Sequence, residues 1–214
     1  MELTQIQLVV ASILPILFAI TVHEAAHGWV ADKRGDQTAR MLGRLTLNPI
    51  KHIDLIGTII LPIAFLLSAG MIFGWAKPVP VNARNLKNPR SDMALVAIAG
   101  PLSNLIMAFM WAAMLKLGLS IELPIKDALI TMSNIGIKIN LFLALLNLIP
   151  IPPLDGSRVV SACLSPKASY FYEKIERFGF IILILLLMSG LLNIILLPPF
   201  HYIEQMLFSF FSIF

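Results

Sequence analysis

Five consecutive residues, His23-Glu24-Ala25-Ala26-His27, carry the most specific chemistry in this chain. Two imidazoles four positions apart on a helix share one face about 6 Å apart, which suits two ligands of one zinc ion. The carboxylate beside the first histidine can take the proton of a water that the metal has acidified. The pentapeptide closes an apolar run from Ile6 to Val22. An ionisable residue costs roughly 2.5–3.5 kcal/mol at the centre of a membrane helix, so three in one turn mark function rather than packing.

A catalytic zinc usually takes three protein ligands and leaves a fourth position for water. His52, His201 and Asp155 are the remaining candidates. Each of the two histidines stands near an apolar boundary with no further support and reads as interfacial. Asp155 follows Asn147-Leu148-Ile149-Pro150-Ile151-Pro152-Pro153-Leu154 and precedes Gly156. A proline-bounded turn there could aim a carboxylate back into a bundle, although an isolated Asp-Gly pair is equally an ordinary turn.

These residues sit in a chain that is 58% hydrophobic and 13% charged, with a mean hydropathy of +0.86. Ordinary soluble domains carry roughly 25% charged residues, so this is a polytopic membrane protein. The net charge of +4 does not point to nucleic acid, because the basic residues fall in loops beside apolar spans. Nothing resembling a cleavage site precedes the histidine pair, so the first segment reads as a retained span. The single cysteine, Cys163, excludes an intrachain disulfide and reads as an inert buried thiol.

Five apolar stretches stand out, at about 6–30, 55–74, 92–117, 130–150 and 178–197, followed by a Phe-rich tail from Pro198 to Phe214. The third is expected to open at Gly100-Pro101 and the fourth to end in the Pro150–Pro153 turn. Basic residues cluster after segments 1, 2 and 4, whereas 118–128 holds only Lys126. That asymmetry puts the first three loops in the cytoplasm and 118–128 outside. Segment 2 is then flanked by basic loops on both sides and contains Gly57, Pro62, Gly70 and Gly74. A re-entrant or strand-like element between the first two core helices resolves this, with an edge strand suggested by the alternation at 44–49. The expected fold is an all-α polytopic bundle carrying that element.

HEAAH on a first core helix, Gly100-Pro101-Leu102-Ser103-Asn104 on the next, and Asn147…Pro150…Leu154-Asp155-Gly156 together resemble the site-2 proteases, the M50 intramembrane metalloproteases. The resemblance runs from about residue 10 to 160. It implies His23, His27 and Asp155 as ligands of one zinc ion, Glu24 as catalytic base, and Asn147 and Asn104 near the site. The Asn147 amide is the favoured oxyanion donor. Long members of the family carry PDZ domains between the second and third core helices, and others a CBS module. Here Gly118–Leu129 is a short loop, so residues 1–214 are read as one membrane-embedded domain, with a core of about 6–160 and a C-terminal span of about 178–197.

The expected activity is zinc-dependent hydrolysis of peptide bonds in or near transmembrane segments of protein substrates within the lipid bilayer. The site would face the cytoplasm of a bacterial or archaeal cell membrane. A helix hides its own carbonyls, so a substrate must unwind, and an edge strand from 44–60 could hold it by strand addition. Two other functions compete: a metal-binding membrane transporter and a catalytically inactive scaffold. The sequence leaves the oligomeric state open.

Overall fold

Uniformly apolar sequence, rather than amphipathic periodicity, builds the long helices of this protein. The computed structural model describes residues 4–61 and 76–213, with Ala64, Leu67 and Gly74 between them. Helix α1 (Gln5–Lys33) is capped at its start by Thr4 and followed by one turn, α2 (Thr38–Met41). Helices α3 (Pro89–Ser120) and α4 (Lys126–Leu148) form a hairpin. Four shorter and longer helices follow: α5 (Asp155–Cys163), α6 (Pro166–Glu173), α7 (Glu176–Met188) and α8 (Leu191–Phe210). Among the described residues, α1, α3, α4 and α8 are long and apolar enough to cross a membrane. Their outer faces expose Val9, Val10, Ile106, Met110 and Ile194, as helices do where lipid replaces water.

The centre of the bundle is where α1, α3 and α4 meet. Met107, Ala108, Trp111, Ala112 and Leu115 of α3 pack against Ile137 and Leu141 of α4. Pro101, expected at the start of a helix, lies in the middle of α3, which begins at Pro89 instead. Proline at a first helical position loses no backbone bond, so Pro89 is the natural start. The expected single span at 178–197 is two helices. Gly190, with a φ of 74°, separates α7 from α8, and that left-handed conformation ends a helix at glycine. The 13 residues of α7 are too few to cross a bilayer, whereas α8 continues through Pro198 and Pro199 into the tail. Cys163 is exposed, not buried.

The expected edge strand does not form, and no strand occurs among the described residues. The Thr46 hydroxyl accepts from the Asn48 N–H and the Asn48 side chain accepts from Ile50 N–H, opening a 3₁₀ turn at Pro49–His52. Such local bonds outcompete ladder pairing in short polar stretches. Leu55–Ile60 then form a π-helical turn capped by Asp54. Most of 62–75 lies outside the described residues, and with it the rest of the expected re-entrant path. The two ends of segment 2 do meet, however: the Lys77 N–H donates to the His52 carbonyl at 2.9 Å. That bond joins the two flanks of segment 2, while the described residues within it give a π-helical turn and no strand, so the expected re-entrant or strand-like element is not supported.

Residues 76–82 run as a non-helical strap across α1 and lead into a 3₁₀ turn, Ala83–Asn85. Arg44 donates to the carbonyls of Lys77 and Pro78. At the other end, fully buried Asp36 accepts from the Asn82 N–H at 2.6 Å, from the Asn85 amide and from Thr38. Burial pushes the Asp36 carboxyl up, but the bonds from Thr38, Asn82 and Asn85 outweigh it and hold it below its ordinary 3.8. A carboxylate depressed in the folded state contributes stability above its unfolded value, lost as the pH falls through the folded one. Asp36→Ala strands buried donors worth about 1–3 kcal/mol. Trypsin at neutral pH is therefore expected to cut faster at Arg84 and Lys87 in that variant, and acidifying from 3.8 down through the lowered Asp36 value should open the strap to pepsin in the parent but change little in the variant.

Candidate metal centre

His23 and His27 lie one turn apart on α1, and both are buried against α3. His23 Nδ1 is 2.5 Å from Asn104 Oδ1, and His27 Nδ1 is 2.7 Å from the Val96 carbonyl. A carbonyl only accepts, so each Nδ1 carries a proton, and in the neutral imidazole, the form that ligates a metal, each Nε2 keeps a lone pair. The two Nε2 atoms are 3.1 Å apart. Asp155 Oδ2 stands 3.2 Å from one and 3.3 Å from the other, and this buried oxygen has no hydrogen-bond donor. His23, His27 and Asp155 are brought together as one group of possible metal ligands.

Three acceptors this close repel one another. A single proton relieves one pair at most, whereas a divalent cation satisfies all three at once. A point equidistant from atoms so spaced lies about 2 Å from each, the length of a zinc bond to imidazole nitrogen or carboxylate oxygen. Two neutral imidazoles and one carboxylate also match the ligand chemistry of a catalytic zinc, with a fourth position left over.

Close backbone approach makes the cluster possible. A Cβ on Gly100 would fall 2.3 Å from His27 Nε2 and 2.6 Å from His23 Cε1, so only glycine lets α3 lie against both imidazoles. Asp155 begins α5 beyond the 149–154 turn. A Cβ on Gly156 would fall 2.3 Å from the Leu148 carbonyl. The bare glycine thus folds the turn back onto the end of α4 and carries Asp155 to the histidines. Tyr172 of α6 steadies the turn by donating to the Pro150 carbonyl at 2.6 Å.

Glu24 stands outside the cluster and accepts from the Val79 N–H of the strap at 2.7 Å. The remaining sequence candidates fall elsewhere. Asn147 Nδ2 donates to the Leu143 carbonyl one turn back at 3.0 Å, a helix-internal bond. Asn104, expected near the substrate, is fully buried and faces His23. His52 is buried rather than interfacial, with Nε2 2.9 Å from the Thr46 carbonyl. His201 is exposed on α8, 3.7 Å from Glu204. Gly100 in its packing role, Val96 and the Asn140 partner of Asn104 carried no legible motif.

Residues 121–190, which contain Asp155, match the family model described as "Peptidase family M50". YwhC of Bacillus subtilis is 43% identical over 190 residues, covering 87% of this chain and 84% of that protein. The chain belongs to peptidase family M50. Rip2 of Mycolicibacterium smegmatis is 28% identical over 180 residues, 83% of this chain and 66% of that protein. MJ0611 of Methanocaldococcus jannaschii is 38% identical over 65 residues, 30% of this chain and 31% of that protein. All three carry zinc metalloprotease in their names. No solved structure matches the chain. As a member of the site-2 protease family, this protein is a zinc-dependent metalloprotease in a multi-pass membrane fold, which sets aside the transporter and scaffold readings.

The contact at Gly100 makes one substitution decisive. Gly100→Ala is expected to displace both imidazoles by a few tenths of an ångström or more and to lower peptidase activity about a hundredfold. Helix content and detergent solubility should match the parent.

Proposed function

We propose that the protein is an intramembrane endopeptidase whose zinc is held by His23, His27 and Asp155, with Glu24 as the catalytic base. The observation that carries this reading is the convergence of three possible ligand atoms, two imidazole nitrogens and a carboxylate oxygen, at 3.1–3.3 Å with a separate carboxylate beside them. Bound there, zinc supplies a Lewis acid that polarises the scissile carbonyl and makes water a nucleophile near neutral pH. Glu24 takes the proton of the attacking water and returns it to the leaving nitrogen. The Val79 N–H holds one oxygen of that carboxylate, leaving the other free to turn toward the water. Asn147 spends one of its two amide hydrogens on the Leu143 carbonyl and keeps the other for a developing oxyanion.

Membrane-protein chains with a transmembrane segment fit as substrates. An apolar groove of about 360 Å³ runs between Val22, Ala25, Ala26 and Trp29 of α1 and the 45–47 loop. It flanks Glu24 on the helix surface and suits apolar side chains of an unwound stretch. The basic loops at 31–53, 75–91 and 157–174 favour a site that faces the cytoplasm. Helices α3 and α4 run out to 118–128 and back, so the turn after α4 returns Asp155 to the depth of His23 and His27 on α1.

Two measurements test this reading. Glu24→Gln is expected to keep one zinc per chain while losing at least about a thousandfold in hydrolysis, whereas His27→Ala and Asp155→Ala should lose the metal; elemental analysis of purified protein decides it. Zinc lost together with activity in Glu24→Gln would make Glu24 a ligand. In a Cys163→Ser background, single cysteines at Lys33 and Lys87 should react from one side of the membrane and one at Lys126 from the other. Labelling of 87 from the side of 126 would break the shared depth.

A further inference from the structure

Behind His23, the carboxamides of Asn104 and Asn140 form a chain of hydrogen bonds across three helices. Both are fully buried. Asn140 Nδ2 donates to the Gly136 carbonyl at 2.8 Å, within α4. Asn140 Oδ1 accepts from Asn104 Nδ2 at 2.8 Å, and that same nitrogen donates to the Ala19 carbonyl of α1 at 3.3 Å. Asn104 Oδ1 is then left to face His23 Nδ1 at 2.5 Å.

Direction along this chain is fixed at its far end. The Gly136 carbonyl can only accept, so the NH₂ of Asn140 must point to it and the oxygen of Asn140 must point to Asn104. That oxygen and the Ala19 carbonyl both call for donors, so they take the NH₂ of Asn104. The Asn104 oxygen is what remains for His23, and it demands a proton on Nδ1. A flip of either amide would set carbonyl against carbonyl, and a buried acceptor without a donor costs about 1–3 kcal/mol. The neutral imidazole has one tautomer in which both carboxamides are fully paired, and in that tautomer Nε2 keeps its lone pair on the side of Asp155.

We infer that Asn140, which touches neither substrate nor the cluster, is a positioning residue that acts through Asn104 to set the tautomer and ring orientation of His23. This rests on the ligand assignment proposed above. Partners that orient ligating histidines are typically worth 10–100-fold in metal affinity. Asn140 is expected to fall in that range although it stands one residue further from the metal.

The test is a zinc competition titration against a chromophoric chelator, on apo-protein purified in detergent. Asn140→Leu removes the acceptor and should weaken zinc at least tenfold. Asn140→Asp keeps an oxygen toward Asn104 in either protonation state and should bind within about threefold of the parent. Asn104→Ala should weaken zinc at least as much as Asn140→Leu, and adding Asn140→Leu to it should cost nothing more, because the second residue acts only through the first. The cobalt(II) form of Asn140→Leu should show shifted d–d bands, which a remote packing defect would leave alone. If leucine is not accommodated, Asn140→Ala is read in the same way. Parent-like affinity in both Asn140→Leu and Asn140→Ala, equal loss in the Asp variant, or additive losses in the double variant would overturn the relay. Zinc retained by His27→Ala would instead overturn the ligand assignment, so the two failures are distinguishable.

Discussion

Three lone pairs pointed at one another in a buried space are the constraint on which the rest of this protein depends. His23 and His27 have each committed the Nδ1 proton to a carbonyl of α3. Asp155 Oδ2 has no donor at all. Such a group is unfavourable unless a cation completes it, so the fold must hold the three atoms together against their own repulsion. Much of the bundle can be understood as the means of doing so. Helix α3 lies against α1 because Gly100 has no side chain, and the 149–154 turn returns because Gly156 has none.

The arrangement also explains why the proposed general base stays apart from the proposed ligands. Adjacent residues on a helix point about 100° apart, so Glu24 leaves the face that His23 and His27 share. The strap between α1 and α3 then catches it through the Val79 N–H. The strap is itself tied down at Lys77 by His52 and Arg44, and at Asn82 by Asp36. A loop with proline at positions 78 and 80 has few donors to offer. The one at Val79 goes to Glu24, the carboxylate proposed to move a proton.

How much of this was legible in the sequence depended on whether a local rule sufficed. The helical i, i+4 spacing of His23 and His27 is a local rule, and the structure places the pair as that rule requires. The third member, Asp155, was one reading of a proline-bounded turn, and the structure brings it to the histidines. The edge strand at 44–49 was inferred from too short an alternation, and the side chains of Thr46 and Asn48 prefer turns. The break at Gly190 was locally readable as a helix-ending glycine, but uninterrupted hydropathy on both sides masked it. Asn104 and Asn140 are the clearest limit. A carboxamide in an apolar helix announces a hydrogen bond, yet its partner is set by where helices cross. Only the packed bundle shows that Asn104 faces His23.

The central claim is that one zinc is held by two imidazoles and one carboxylate. Zinc K-edge X-ray absorption on the purified protein measures that first shell directly. The account predicts one zinc per chain, two imidazole nitrogens with oxygen completing a four-coordinate shell at about 2.0–2.2 Å, and the same spectrum in Glu24→Gln. A sulfur scatterer from Cys163, a single imidazole, or a shell that changes when Glu24 is replaced would contradict it.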